Sequence, residues 1–227
     1  MMSQMQIYNF QVTTRDIEGL TDARGDSVKS MLESDYSVSV NNVRVILGYQ
    51  VKSDMSLEQA TRSIYDLFAD PIIEVGNLEN SLLDNKNLFS EAPQIAIKVG
   101  FKPGVTDNAG QAGLDGLRTI FPKISSASQV ATAMTYLFWG VPSDISPNWL
   151  SSKLHNQMIE RSSISDSKDC QKSVWPSLDF PERPKLTQKP SATVNLEVSD
   201  EELIQISEKG LLALNLEEMK AIQENYR

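Results

Sequence analysis

The chain has 227 residues, 40% of them hydrophobic and 22% charged, enough for one large domain or two small ones with a sizeable core. A single cysteine, Cys170, excludes an internal disulfide and fits a reducing compartment. A net charge of −9 without a basic patch argues against nucleic acid as a partner.

The opening MMSQMQIYNFQV has neither a basic region nor a long apolar run, so no signal peptide is read there. Residues 5–14 then alternate, with Tyr8, Phe10 and Val12 on one face, the pattern of a half-buried strand. The heptad GLTDARG follows at 19–25. Asp22, or the threonine before it, suits the N-cap of a helix carrying Val28, Met31 and Leu32. Next, NNVRVILGYQV alternates through Val43, Val45, Leu47 and Tyr49, a long strand. LEQATRSIYDLFADPIIEVG places Leu57, Ala60, Ile64, Leu67 and Phe68 on one helix face, then breaks at Pro71 into the short strand IIEVG.

Past a connector at 80–93 the series repeats. Ile95, Ile97, Val99 and Phe101 alternate, and GVTDNAG follows at 104–110. This heptad lies 85 positions after the first (104 minus 19). A helical run with Leu114, Leu117 and Phe121 comes next, with Asp107 as its cap. The run SQVATAMTYLF is ambiguous by propensity alone. Matching Val43 and Tyr49 to Val130 and Tyr136, 87 positions on (130 minus 43, 136 minus 49), makes 130–139 a strand. NWLSSKLHNQMIERS supplies a helix with Leu150 and Leu154, and Ile159-Glu160 answers Ile73-Glu74. The expected fold is therefore α+β, with two duplicated β-α-β-α-β units at 1–79 and 94–165 packed sheet on sheet or edge to edge as a pseudo-dimer. In each heptad the glycines (Gly19, Gly25, Gly104, Gly110) supply a turn and the aspartates supply caps.

From Ser162 the sequence turns polar, then rich in proline, and reads as an extended arm at 166–197. Its aromatics, Trp175 and Phe180, are expected against a folded surface. In the last segment, 198–227, Ser199 with Glu202 and Asn215 with Glu218 are capping boxes for two short helices, with Gly210 as the C′ residue of the first. The second carries the apolar stripe Leu216, Met219 and Ile222, which calls for a partner surface or for the chain's own duplicated domain.

Chemistry-bearing residues are scarce. The only histidine, His155, and Cys170 are the one conceivable nucleophilic dyad. The plainer reading is a histidine late in a helix and a cysteine in a polar linker. A zinc site with several histidines is excluded, and neither GxxxxGK[ST] nor GxGxxG occurs. The run 131–141 is too short and too Thr-interrupted to span a bilayer, so a soluble, cytoplasmic protein without membrane partners is expected.

FKPGVTDNAGQAGLDGL at 101–117 and LHNQMIERS at 154–162 resemble the small PurS subunit of phosphoribosylformylglycinamidine synthase. VSDEELIQISEKGLLALNLEEMKAIQENY at 198–226 resembles the end of the linker domain in the large, single-chain form of that enzyme. The first copy is weaker, since Asp16-Ile17-Glu18-Gly19 replaces the Phe-Lys-Pro-Gly approach. The resemblance implies two fused S-like copies plus linker, serving purine biosynthesis by ATP- and glutamine-dependent amidation of formylglycinamide ribonucleotide. It implies that ATP and Mg bind elsewhere in the enzyme, and that no catalytic, cofactor or metal residue lies in this stretch. It makes the synthetase body and the glutaminase domain the partners, with Trp175, Phe180, Leu216, Met219 and Ile222 as contact candidates. The alternative is a stand-alone regulatory module that binds a small ligand, an anion at the two heptad turns for instance.

Overall fold

The first strand forms where alternation places it: β1 (Gln6–Thr14) buries Tyr8, Phe10 and Val12 on one face. A computed structural model describes residues 5–78, 82–85, 88–182 and 193–226. The chain divides into two units, Met1–Pro184 and Lys185–Arg227.

In the first unit β1 is followed by α1 (Ala23–Tyr36), β2 (Asn42–Ser53), α2 (Leu57–Ser63) and β3 (Glu74–Leu78). Then come β4 (Ile95–Phe101), α3 (Asn108–Ile120), β5 (Gln129–Trp139), α4 (Pro147–Leu154), β6 (Glu160–Ser165) and α5 (Ser167–Gln171). The six strands form one antiparallel sheet in the order β3-β1-β2-β5-β4-β6. Its two long strands, β2 and β5, meet in the middle, from Asn42↔Trp139 to Lys52↔Gln129. The run at 130–139, ambiguous by propensity, is thus a central strand, and the halves join edge to edge. The mixed α+β class is as expected.

One face of the sheet carries α1 to α4, and the helices cross over between halves. Leu117 of α3 is buried with Tyr8, Phe10, Val51 and Phe68 of the first half. Leu32 of α1 is buried with Ile95, Ile97, Phe138 and Leu150 of the second. Each such side chain contributes roughly 1.5–3 kcal/mol on burial, so neither half completes its core alone. The other face is covered too. Ile46, Ala96 and Leu137 pack under Leu82, Phe89 and Cys170, with Trp175 at the margin.

Several local expectations are corrected. Leu57, at the first position of α2, is exposed. The helix passes into a π-helical turn at Ile64–Phe68, and Ala60, Ile64 and Phe68 are buried. Ile72 and Ile73 are exposed in the turn before β3, which begins only at Glu74. Residues 162–165, polar but placed inside the second unit at 94–165, belong to edge strand β6. Residues 167–171 form α5, whose first amides, Lys168 and Asp169 N–H, donate to Asp166. The described part of the 80–93 connector holds a 3-10 turn, Leu82–Asp84, and buries Leu82 and Phe89. Residues 79–81, 86–87 and 183–192 of the connector and arm lie outside the described residues.

In the second unit α6 (Asp200–Lys209) and α7 (Leu216–Asn225) pack on each other. Both capping boxes form, at Ser199 with Glu202 and Asn215 with Glu218. Ser207 Oγ donates to Leu214 O at 2.8 Å and accepts from Leu214 N–H at 3.0 Å, fixing the link between the helices. Gly210 does not take the left-handed conformation expected of a C′ residue; Leu211 does, with φ 53°. Among the described residues no helix is long and apolar enough to cross a membrane.

Candidate functional site: the paired turns and the seam between them

The two heptads fold alike. Gly19 and Gly104 have φ of 82° and 87°, the left-handed turn that glycine adopts freely. Asp22 Oδ1 accepts from Gly25 N–H at 3.2 Å, and Asp107 Oδ1 from Gly110 N–H at 2.7 Å, capping α1 and α3. Each carboxylate also ties its helix to the next strand. Asp22 Oδ2 accepts from Val45 N–H and Asp107 Oδ2 from Thr132 N–H, both at 2.6 Å. Gly25 and Gly110 let the helix lie directly on that strand. A Cβ there would stand 2.1 Å from Val43 O or 2.6 Å from Val130 O.

With Asp22 buried against the α1 amides and Asp107 engaging those of α3, a carboxylate already stands where an anion would bind. The turns serve as joints between helix and sheet.

The surroundings of the two carboxylates differ. In the first half Arg44 Nε lies 3.8 Å from Asp22, and Arg24 Nη1 lies 3.8 Å from Glu74. In the second half the hydroxyl of Thr132 donates to Asp107. Glu160 Oε2 accepts from Asn156 N–H at 2.6 Å, and no cation pairs with it among the described residues.

Beside Glu160 a cavity of about 120 Å³ opens on the seam of the sheet. Leu47, Val99, Phe101 and Met134 form its apolar wall, Tyr49 and Tyr136 its phenol-bearing sides, and Ala109 its helical rim. Burial raises the Tyr49 phenol, and Glu74 and Asp107 add to the effect against Arg24. Burial, then the charge of Glu160, raises Tyr136. Sequence periodicity assigned Leu47 and Tyr49 to a core face without revealing the gap at its centre.

Trp175 packs on the chain's own outer sheet face, and its Nε1 donates to Asp84 at 3.2 Å. Phe180 stacks under Lys52, with Nζ 5.7 Å from the ring centroid. In the second unit Met219 is buried, while Leu216 and Ile222 are half-buried. Leu211, outside the expected stripe, is 89% exposed.

The Cys170–His155 dyad is not formed. Cys170 is buried on the outer sheet face beside Ile46 and Ala96. His155 ends α4, whose Leu150 packs on the opposite face, and its Nδ1 lies 2.7 Å from Ser151 O. Burial first, then Asp169 and Asp166, pushes the Cys170 thiol up to about 11, far from a reactive thiolate. Burial also lowers Lys98, on the outer face of β4. Among the described residues no cluster of His, Cys, Asp and Glu could hold a metal ion. No protein-family model matches the chain, and no curated protein does.

Proposed function

We propose that this chain is a non-catalytic assembly region of a phosphoribosylformylglycinamidine synthase, built from two fused S-like copies and a linker. The observation that carries this reading is the register of the sheet. Across the seam Val45 faces Tyr136 and Tyr49 faces Thr132, about a centre at Leu47 and Met134. Corresponding residues stand 87 positions apart (132 minus 45, 134 minus 47, 136 minus 49), the offset that matches the two long strands in the sequence. The inner pairs keep it: Phe10 faces Tyr49, and Ile97, 87 on (97 minus 10), faces Tyr136. At the edges Thr14 faces Glu74 while Phe101 faces Glu160, 86 on from Glu74 (160 minus 74).

The turns before the edge strands repeat as well. Glu74 Oε2 accepts from Asp70 N–H and Glu160 Oε2 from Asn156 N–H. Arg15 N–H donates to Ile73 O and Lys102 N–H to Ile159 O, both at 2.9 Å. A one-residue slip would turn a strand's side chains to the wrong face, so concordant offsets across five pairings favour duplication of a unit that once paired as a symmetric dimer.

In this role the duplicated sheet and the linker hold the synthetase body and the glutaminase domain in register, so that ammonia passes between them without loss to water. ATP and magnesium bind in those other parts. The chain engages neither nucleic acid nor membrane and works in the cytoplasm. Reconstitution tests this: separately produced synthetase and glutaminase parts are mixed with and without the chain, and amidine formed is compared with glutamate released. Near-equal yields only with the chain present support the role. Yields that ignore the chain contradict it.

The seam cavity favours a second reading, a small-ligand regulatory module. The carboxylate caps disfavour an anion at the turns, and thermal shift with phosphate or AMP checks that directly.

A further inference from the structure

The two halves keep the same acids but not the same cations. Arg24 of the first heptad, which meets Glu74, corresponds to Ala109 of the second. Arg44, which meets Asp22, corresponds to Ala131, 87 on (131 minus 44). The acids remain, as Glu160 and Asp107. Thr132 answers Asp107 with a hydroxyl where the first half has Val45. Among the described residues nothing comparable answers Glu160. Its carboxylate has one amide bond, from Asn156, and borders a cavity in which Ala109 stands at the position equivalent to a guanidinium-bearing residue.

We infer that the seam cavity is a binding site for a small organic monocation, a guanidinium or primary ammonium on a short apolar tail. The head would pair with Glu160, as Arg24 pairs with Glu74 in the first half. Flanking it, the phenols of Tyr49 and Tyr136 offer hydroxyl acceptors and π faces, both suited to a cation. The tail would lie on Leu47, Val99, Phe101 and Met134. Among the described residues no lysine or arginine lines the cavity to repel the head. At about 120 Å³ the space is well below the roughly 300–1,000 Å³ of ordinary ligand pockets, which excludes a nucleotide. The site does not depend on membership in an amidotransferase.

The test uses the full chain and n-butylguanidinium at millimolar concentration, with neutral n-butylurea as the matched control. Methyl and aromatic NMR signals of Met134, Tyr49 and Tyr136 report on the site. Saturable shifts with the cation and none with the urea are expected. Glu160→Gln should weaken binding at least about tenfold. Ala109→Arg should abolish it while the chain stays folded, by seating a guanidinium from within. Equal response to cation and urea would overturn the site. So would no saturable shift, or undiminished binding in both variants. Failure here leaves the reconstitution result untouched, and failure there leaves this titration untouched.

Discussion

Replacing Asp22 by alanine removes three contacts at once. The cap on Gly25 N–H is lost, which costs about 1 kcal/mol. Val45 N–H, in the middle of a buried strand, loses its acceptor at 2.6 Å, and an unsatisfied buried amide costs about 1–3 kcal/mol. Arg44, with a side chain only 13% exposed, loses the carboxylate 3.8 Å from its Nε. The expected loss is about 3–5 kcal/mol, near the upper range for a single substitution. Asp107→Ala removes the same cap and strand tie but strands no arginine, so about 2–4 kcal/mol is expected. Asp22→Asn keeps one acceptor oxygen and should cost roughly half as much as Asp22→Ala. Urea unfolding followed by tryptophan fluorescence measures all three, provided the slope with denaturant is constant. A loss for Asp22→Ala within about 0.5 kcal/mol of zero, the range of an ordinary surface change, would refute the claim that this carboxylate joins helix to sheet.

Gly25→Ala and Gly110→Ala drive a methyl into a strand carbonyl and should each cost well over 1 kcal/mol, against about 1 kcal/mol for Gly19→Ala, where the space is open and only φ resists; the same unfolding assay ranks them. Cys170, with its thiol pushed up to about 11, should be about a thousandth ionised at pH 8 and react with a thiol reagent only after denaturant is added; rapid native labelling contradicts its burial. Lys98 has its pKa lowered by burial from an ordinary 10.5. Between the folded and unfolded values the unfolded chain holds more protons, so stability rises with pH across that window and the cost is complete below it. Lys98→Met should therefore raise stability at pH 7 and flatten the alkaline rise; a less stable variant would mean the ammonium is well solvated in the fold.

Legibility in the sequence followed physical rules of different reach. Period-two alternation is a local signal, and it located β1, β2 and β4 through Tyr8, Val45 and Ile97. For 130–139 local propensity was silent, and comparison with 43–49 supplied the strand. The caps were legible because Asp22 and Asp107 precede their helices directly. Their bonds to Val45 and Thr132 were not, since these join residues 23 and 25 apart. The outer sheet face stayed hidden because Leu82, Phe89 and Cys170 come from short apolar pairs or lone residues in separate, otherwise polar segments. Periodicity cannot detect a surface assembled from separate loops. The cavity was hidden for another reason: its lining, with Tyr49, Ala109, Tyr136 and Glu160, comes from separate strands and a helix that only the fold brings together.

The most direct test of the assembly role is to purify the chain under native conditions from its source with an antibody and assay the isolate. Formylglycinamide ribonucleotide, ATP, magnesium and glutamine are supplied, and amidine formation is measured. The account predicts glutamine-dependent amidine formation in an isolate that contains synthetase and glutaminase parts, whether linked to the chain or bound to it. A homogeneous isolate of 25.3 kDa that neither makes amidine nor restores activity to those parts would contradict it.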